Sequence, residues 1–392
     1  MSDNILILGA GASYDADIPL MNGFMQTIWE LAVRSKYKNK PIKAEDKALF
    51  SKAIEIRDEL DRYHGRANFD DRNIEDILSI LTFNLIEGKK KDKDKLDIMV
   101  KAISKMIDIT CNVEHPGTFD IAISNGPDIY RKFWQALFSC FSTGKTFPTI
   151  ITFNYDLVLE RSLLQVLINK YYSNRNRPPF NSITIKYYYD LIRDINFNIK
   201  YAQYHTNETF GTEPGTILEK TDNVNEKNLI IEILKLHGSI NFPTKKEEHD
   251  NFNIASSIEN PFILPPIYNK NYQQYGNKIW KSALERLREA KNIVIIGYSL
   301  PQTDIYIQYF FKAALGPNLN LNNIFVFDPI LYNKDDSSLE MKKRYETCFS
   351  PQLKKRIIFD PDEKYSYTVG ANLGIFRNFV RMIAEKEQSI LF

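Results

Sequence analysis

Asn154 and Asp156 are the residues of this sequence whose types and spacing most directly offer chemistry. They lie two apart at the end of the apolar run TIITFN, so in extended geometry both side chains point to one side of the chain. An amide there can hold water or a sugar hydroxyl, and a carboxylate can accept hydrogen bonds from a carboxamide. The competing reading is an Asx turn in which Asp156 caps the following helix. His237 precedes Gly238 after a second apolar run, IIEILKL, where a neutral imidazole can take a proton from a hydroxyl near neutral pH. His64, His115, His205 and His249 lie in polar segments and read as surface residues. Their spacing makes no metal-ligand cluster, and Cys111, Cys140 and Cys348 form no C-x-x-C pair, so neither a metal nor a disulfide framework is expected.

Three further segments end apolar runs. Gly9-Ala10-Gly11-Ala12-Ser13 follows ILIL; it can bring backbone N–H groups and the Ser13 hydroxyl to a pyrophosphate, or simply make a tight strand-to-helix turn. It departs from G-x-G-x-x-G because Tyr14 stands where the third glycine belongs. Gly297-Tyr298-Ser299 ends NIVII, and Ser299 can bond a phosphate or ribose, while Asp304 reads as a helix cap. Asp328 ends NIFVF and fits either a ribose-binding acid or an Asp-Pro turn.

The elements that must position these residues are short β-rich runs alternating with helical periodicity. Strands are expected at Asn4–Leu8, before Asn154, before His237, before Gly297, before Asp328 and in RIIFD ending at Asp360. Helices are expected over FMQTIWELAV, over IEDILSILTFNLI with Asn73 as N-cap, after Asp156, and near Trp280–Ala290, Asp304–Leu315, Leu339–Thr347 and Leu373–Glu387. Lys89–Lys95, written KKKDKDK, reads as a solvated interhelical loop, and Ser173–Lys227 as an irregular or β-containing excursion. The fold class is therefore α/β: a Rossmann-like, mostly parallel sheet made from residues 1–22 and 148–392, with a large helical insertion or second domain over 23–147. In such sheets ligands bind beyond the carboxyl ends of the strands, where every candidate above falls.

Lys and Arg total 51 against 49 Asp and Glu, a balance that gives no reason to expect direct nucleic-acid or membrane-surface binding. The start runs straight into a strand and a glycine turn rather than a secretory signal, and no apolar run reaches transmembrane length, so a cytoplasmic protein is expected.

Taken in order, GAGAS with a following DIP, then TFNYD, KLHG and GYSLP resemble the sirtuin set and, more closely, the sirtuin-like NAD hydrolases of bacterial anti-phage defence. The resemblance spans about residues 1–20 and 148–330. It implies pyrophosphate binding by Gly9, Ala10, Gly11 and Ser13, a catalytic asparagine at Asn154, a carboxamide-contacting aspartate at Asp156 and a catalytic histidine at His237. Gly297 and Ser299 match the second nucleotide-contacting loop. It further implies NAD as substrate, cleavage to nicotinamide and ADP-ribose, a homo-oligomer, and a HerA-type ATPase as partner. Two departures stand out. The four-cysteine zinc module of protein-deacylating sirtuins has no counterpart, and Asp17-Ile18-Pro19-Leu20-Met21-Asn22 lacks the Phe and Arg of the sirtuin cofactor loop. Protein deacylation or ADP-ribosyl transfer at the same site, or a non-catalytic nucleotide-binding subunit, are the alternatives.

Overall fold

Runs of four or five isoleucines, leucines and valines bounded by glycine or polar residues are too short for helices and bury both faces of a parallel sheet. Asn4–Leu8 is buried at every position, as is Thr149–Thr152. In the computed structural model the elements in chain order are β1 (Asn4–Leu8), α1 (Phe24–Val33), β2 (Lys36–Tyr37), β3 (Lys40–Pro41), α2 (Ala44–Tyr63), α3 (Ile74–Ile86), α4 (Lys91–Thr110), α5 (Asp128–Ser142), β4 (Thr149–Thr152), α6 (Val158–Ile168), β5 (Ser182–Lys186), β6 (Ile195–His205), β7 (Thr212–Lys220), β8 (Asn228–Lys235), β9 (Gly238–Pro243), β10 (Pro261–Ile263), α7 (Asn277–Glu289), β11 (Asn292–Ile296), α8 (Ile305–Leu315), β12 (Asn323–Phe327), α9 (Asp336–Cys348), α10 (Pro351–Lys354), β13 (Ile357–Phe359) and α11 (Ile375–Ala384). The structure describes residues 3–38, 40–63, 69–88, 91–114, 128–142, 147–168, 180–205, 212–224, 227–245, 252–264, 277–302, 304–332, 335–359 and 375–384. His64, His115, His249 and Asp360 lie outside them.

The main sheet has the order β13-β12-β11-β1-β4-β8-β5-β6-β7. Every pair from β13 to β5 is parallel, and β6 and β7 extend that edge antiparallel, so the α/β, parallel-dominated architecture holds. The chain leaves β1 toward β4 and later brings β11 to the opposite side of β1. Connections therefore diverge at the carboxyl end of β1, where a crevice opens in folds of this kind.

The described chain between β1 and β4 is mainly helical. Asn73 caps α3, its side chain accepting from Glu75 N at 2.9 Å. α1, α2 and α4 pack on one another and α3 on α4, whereas α5 packs on α6 and α11, beside the sheet. Lys89 and Lys90 lie outside the described residues, and the rest of the lysine-rich run differs from a solvated loop: α4 starts at Lys91, Asp92 is buried, and Lys95 Nζ pairs with Glu59 at 2.8 Å and Asp92 at 3.2 Å. Charges one turn apart and a partner on α2 turned a polar sequence into a helix start. Among the described residues no helix is long and apolar enough to cross a membrane.

Candidate functional site

The site grows from two turns pressed backbone to backbone. Gly9 N donates to Ile296 O and Gly11 N to Gly297 O, each at 2.9 Å, so the turn after β1 is laced to the end of β11. A Cβ on Gly9 would lie 2.4 Å from Gly297 O, and one on Gly297, whose φ is +64°, would lie 2.5 Å from Ala12 N. Both glycines are thus required by the contact itself. The chain continues as a 3-10 turn over Ala10–Ala16. Tyr14 is 62% exposed there, so nothing approaches closely enough to demand a third glycine.

Asn154 closes this turn from the neighbouring strand. Thr152 Oγ1 donates to Leu8 O at 3.2 Å, Asn154 N donates to Thr152 Oγ1 at 3.0 Å, and Asn154 Nδ2 donates to Gly9 O and Ser13 Oγ, both at 2.9 Å. A carbonyl only accepts, so the bond to Gly9 O fixes which end of the amide is nitrogen. Both amide hydrogens are then used, and Oδ1 is left to accept from a hydroxyl or water. Asp156, buried at 7% exposure, accepts from Val158 N through Oδ1 at 3.0 Å. That is the helix-capping Asx turn, and it leaves Oδ2 for a further donor.

Ser13, Asn154 and Asp156 line one small pocket. Its other walls include Tyr130 and Phe376, whose rings stack with centroids 5.0 Å apart, and the side chain of Lys235. Tyr130 OH donates to Ala12 O at 3.0 Å, tying α5 to the glycine turn. Sequence reasoning missed these three. Lys235 alone carried a signal, being a cation inside the apolar run IIEILKL.

His237 follows β8 as Asn154 follows β4. Thr152 pairs with Lys235 at the end of the ladder, and Asn154 and His237 each follow that pair by two residues, just past the ends of adjacent strands. Its imidazole, 8% exposed, packs against Phe153 with centroids 5.2 Å apart, and Phe153 stacks on Tyr298 at 4.5 Å. His237 is not among the described residues that line the Asn154 pocket. Gly238 holds the turn at φ +82°, where a Cβ would lie 2.2 Å from Phe262 O.

Gly297, Ser299 and Asp328 lie on the other side of the glycine turn. Gly297 N donates to Phe327 O at 2.8 Å, Ser299 is half-buried, and Asp328 Oδ1 accepts from Ile330 N at 3.0 Å. The Asp-Pro turn is therefore present. Burial pushes the Asp328 carboxyl up to about 6 against the pull of the Ile330 N–H and Arg344. Asp304 does not cap α8 through its side chain but accepts from Tyr298 OH at 2.8 Å. The described residues contain no group of His, Cys, Asp and Glu arranged to hold a metal ion. The site thus offers an amide oxygen, a carboxylate oxygen, a hydroxyl and a histidine at the carboxyl ends of three adjacent strands.

A family model described as a SIR2-like domain matches residues 148–346. A solved structure reported under "Structural Basis for the Mechanism and Regulation of Sir2 Enzymes" is similar over 98% of this chain and 91% of its own, at 10% identity and a TM-score of 0.36. No curated protein matches the chain.

Proposed function

The chain belongs to the SIR2-like domain family, and from that premise we infer that it binds NAD and hydrolyses the bond between nicotinamide and ribose. The observation that carries this reading is the Asn154 amide, locked by Gly9 O and Ser13 Oγ so that its oxygen is the free end, in a pocket shared with Asp156. Nicotinamide leaves as a neutral base and the ribose becomes oxocarbenium-like. The reaction therefore needs placement and electrostatics more than a strong acid.

In this reading Asn154 Oδ1 orients the attacking water or a ribose hydroxyl, and the free oxygen of Asp156 accepts from the carboxamide N–H. His237 takes the proton released as water adds, giving nicotinamide, ADP-ribose and a proton from NAD and water. NAD would place its nicotinamide ribose beside Asn154 and Asp156 and run its pyrophosphate along the Gly9–Ser13 and Gly297–Ser299 turns toward Asp328. No step calls for a metal. The motif resemblance further supports a role in bacterial anti-phage defence by NAD depletion, with the activity held in check by a homo-oligomer or a HerA-type ATPase. Incubating the purified chain with NAD, alone and with such a partner, and separating the products by chromatography tests the reading. ADP-ribose released without an acylated peptide is expected; a strict peptide requirement, or no turnover in any combination, overturns it.

A further inference from the structure

The geometry points to Lys235 and Glu160 as a positioning pair that holds the Asn154–Asp156 segment in its working shape. Lys235 is 1% exposed and Glu160 fully buried, and Lys235 Nζ meets Glu160 Oε1 at 3.0 Å. The same Nζ donates to the backbone carbonyl of Asp156, while Tyr187 OH donates to Glu160 Oε1 at 3.2 Å. Glu160 Oε2 is buried with no hydrogen-bond partner among the described residues. A buried ion pair with a carboxylate oxygen left over is a poor way to stabilise a core, since apolar residues of similar volume generally do as well or better. Its placement supplies another reason. The β4–β8 ladder ends at the Thr152–Lys235 pair, so the carbonyls of the segment beyond are satisfied one by one rather than by that ladder. Tyr155 O is satisfied by Ile240 N at 3.0 Å and Ser239 Oγ at 3.2 Å. Asp156 O is satisfied by Lys235, whose side chain also forms part of the pocket wall. Glu160, in the first turn of α6, anchors the ammonium and thereby ties β8, the segment and the helix start together.

The catalytic consequence rests on the NAD-hydrolysis reading; the positioning itself does not. The test uses the full chain carrying Lys235→Met with Glu160→Met, and Lys235→Gln with Glu160→Gln as a second pair should the first not fold. Three quantities are read: melting temperature, amide hydrogen exchange of the ligand-free protein, and kcat and KM for nicotinamide release. The expected result is a melting temperature within a few degrees of wild type, with exchange faster by about tenfold or more only across residues 153–158. Turnover is expected to show kcat lowered about 100-fold, the scale of a displaced catalytic group, with KM within about threefold. Unchanged exchange in that segment overturns the proposal. So does exchange that rises evenly across the sheet, or failure of both pairs to fold, because each assigns the pair to bulk stability. A wild-type protein silent toward NAD removes the functional reading, and the exchange result still decides the positioning.

Discussion

Replacing one carboxylate oxygen of Asp328 by an amide nitrogen is expected to stabilise the fold at neutral pH and to leave it unchanged in acid. Burial holds this carboxyl at about 6, against 3.8 for a free aspartate. The protonated form is therefore favoured in the folded chain, and the ionised form in the solvated, unfolded one. Its contribution to stability is fully present below about 3.8 and is lost as the pH rises through about 6. A difference of about two pH units corresponds to ~3 kcal/mol, reached near pH 7. Asp328→Asn keeps the oxygen that accepts from Ile330 N at 3.0 Å and removes the charge. Urea unfolding of both proteins from pH 4 to 8 should give stabilities that coincide near pH 4 and separate to about 2–3 kcal/mol in favour of the variant by pH 7.5. A variant no more stable than wild type at pH 7.5, or a difference independent of pH, would refute the burial argument. A carboxylate held at a strand end where its charge destabilises is a candidate binding residue. The same substitution should raise KM for NAD about tenfold, the loss of one charged hydrogen bond, with kcat kept.

Three other outcomes follow from the geometry. Gly297→Ala meets both a φ of +64° and Ala12 N at 2.5 Å and should destabilise by at least ~2 kcal/mol in denaturant titration, whereas Gly88→Ala, with φ +82° and open space, should cost only about 1 kcal/mol. Against burial, which pushes the Glu232 carboxyl up, the bidentate contact of Arg286 at 2.7 and 2.8 Å with the Tyr188 and Thr149 hydroxyls holds it down at about 2, so its stabilisation is present above about 4.5 and lost as the pH falls through about 2. Arg286→Met should lower stability by about 2–3 kcal/mol at pH 7 and flatten the loss between pH 4.5 and 2, as read by acid unfolding. His237→Ala should abolish nicotinamide release while circular dichroism stays as in wild type; full activity would remove the histidine as base.

The parts of the fold governed by local sequence were legible. FMQTIWELAV and IEDILSILTFNLI are α1 and α3 residue for residue, because apolar periodicity and, for α3, the Asn73 cap decide them. The runs before Asn154, Gly297 and Asp328 are strands buried on both faces, and the run before His237 is a strand that exposes Ile230 in its first half and is buried toward its end. What the sequence hid depends on distant partners. Ser173–Lys227 reads as an irregular or β-containing excursion, and its described part is β: β5 joins β8 in parallel while β6 and β7 form the antiparallel edge, a pairing that the sequence alone did not place. The reason for Gly9 was also hidden: the glycine answers the approach of Gly297, 288 positions away in the chain by their numbers. Lys235 stood out only as a cation inside an apolar run; its role was hidden because its partner Glu160 arrives on α6.

The central claim is that Asn154 directs water to the nicotinamide ribose of NAD, and product analysis in ¹⁸O-labelled water tests it most directly. Wild-type protein should release nicotinamide and ADP-ribose carrying one ¹⁸O. Asn154→Ala, which also loses its bonds to Gly9 O and Ser13 Oγ, should stay folded at a loss of about 1–3 kcal/mol and release nicotinamide at least 100-fold more slowly. Unlabelled product from wild type, or an alanine variant that turns NAD over at the wild-type rate, would contradict the account.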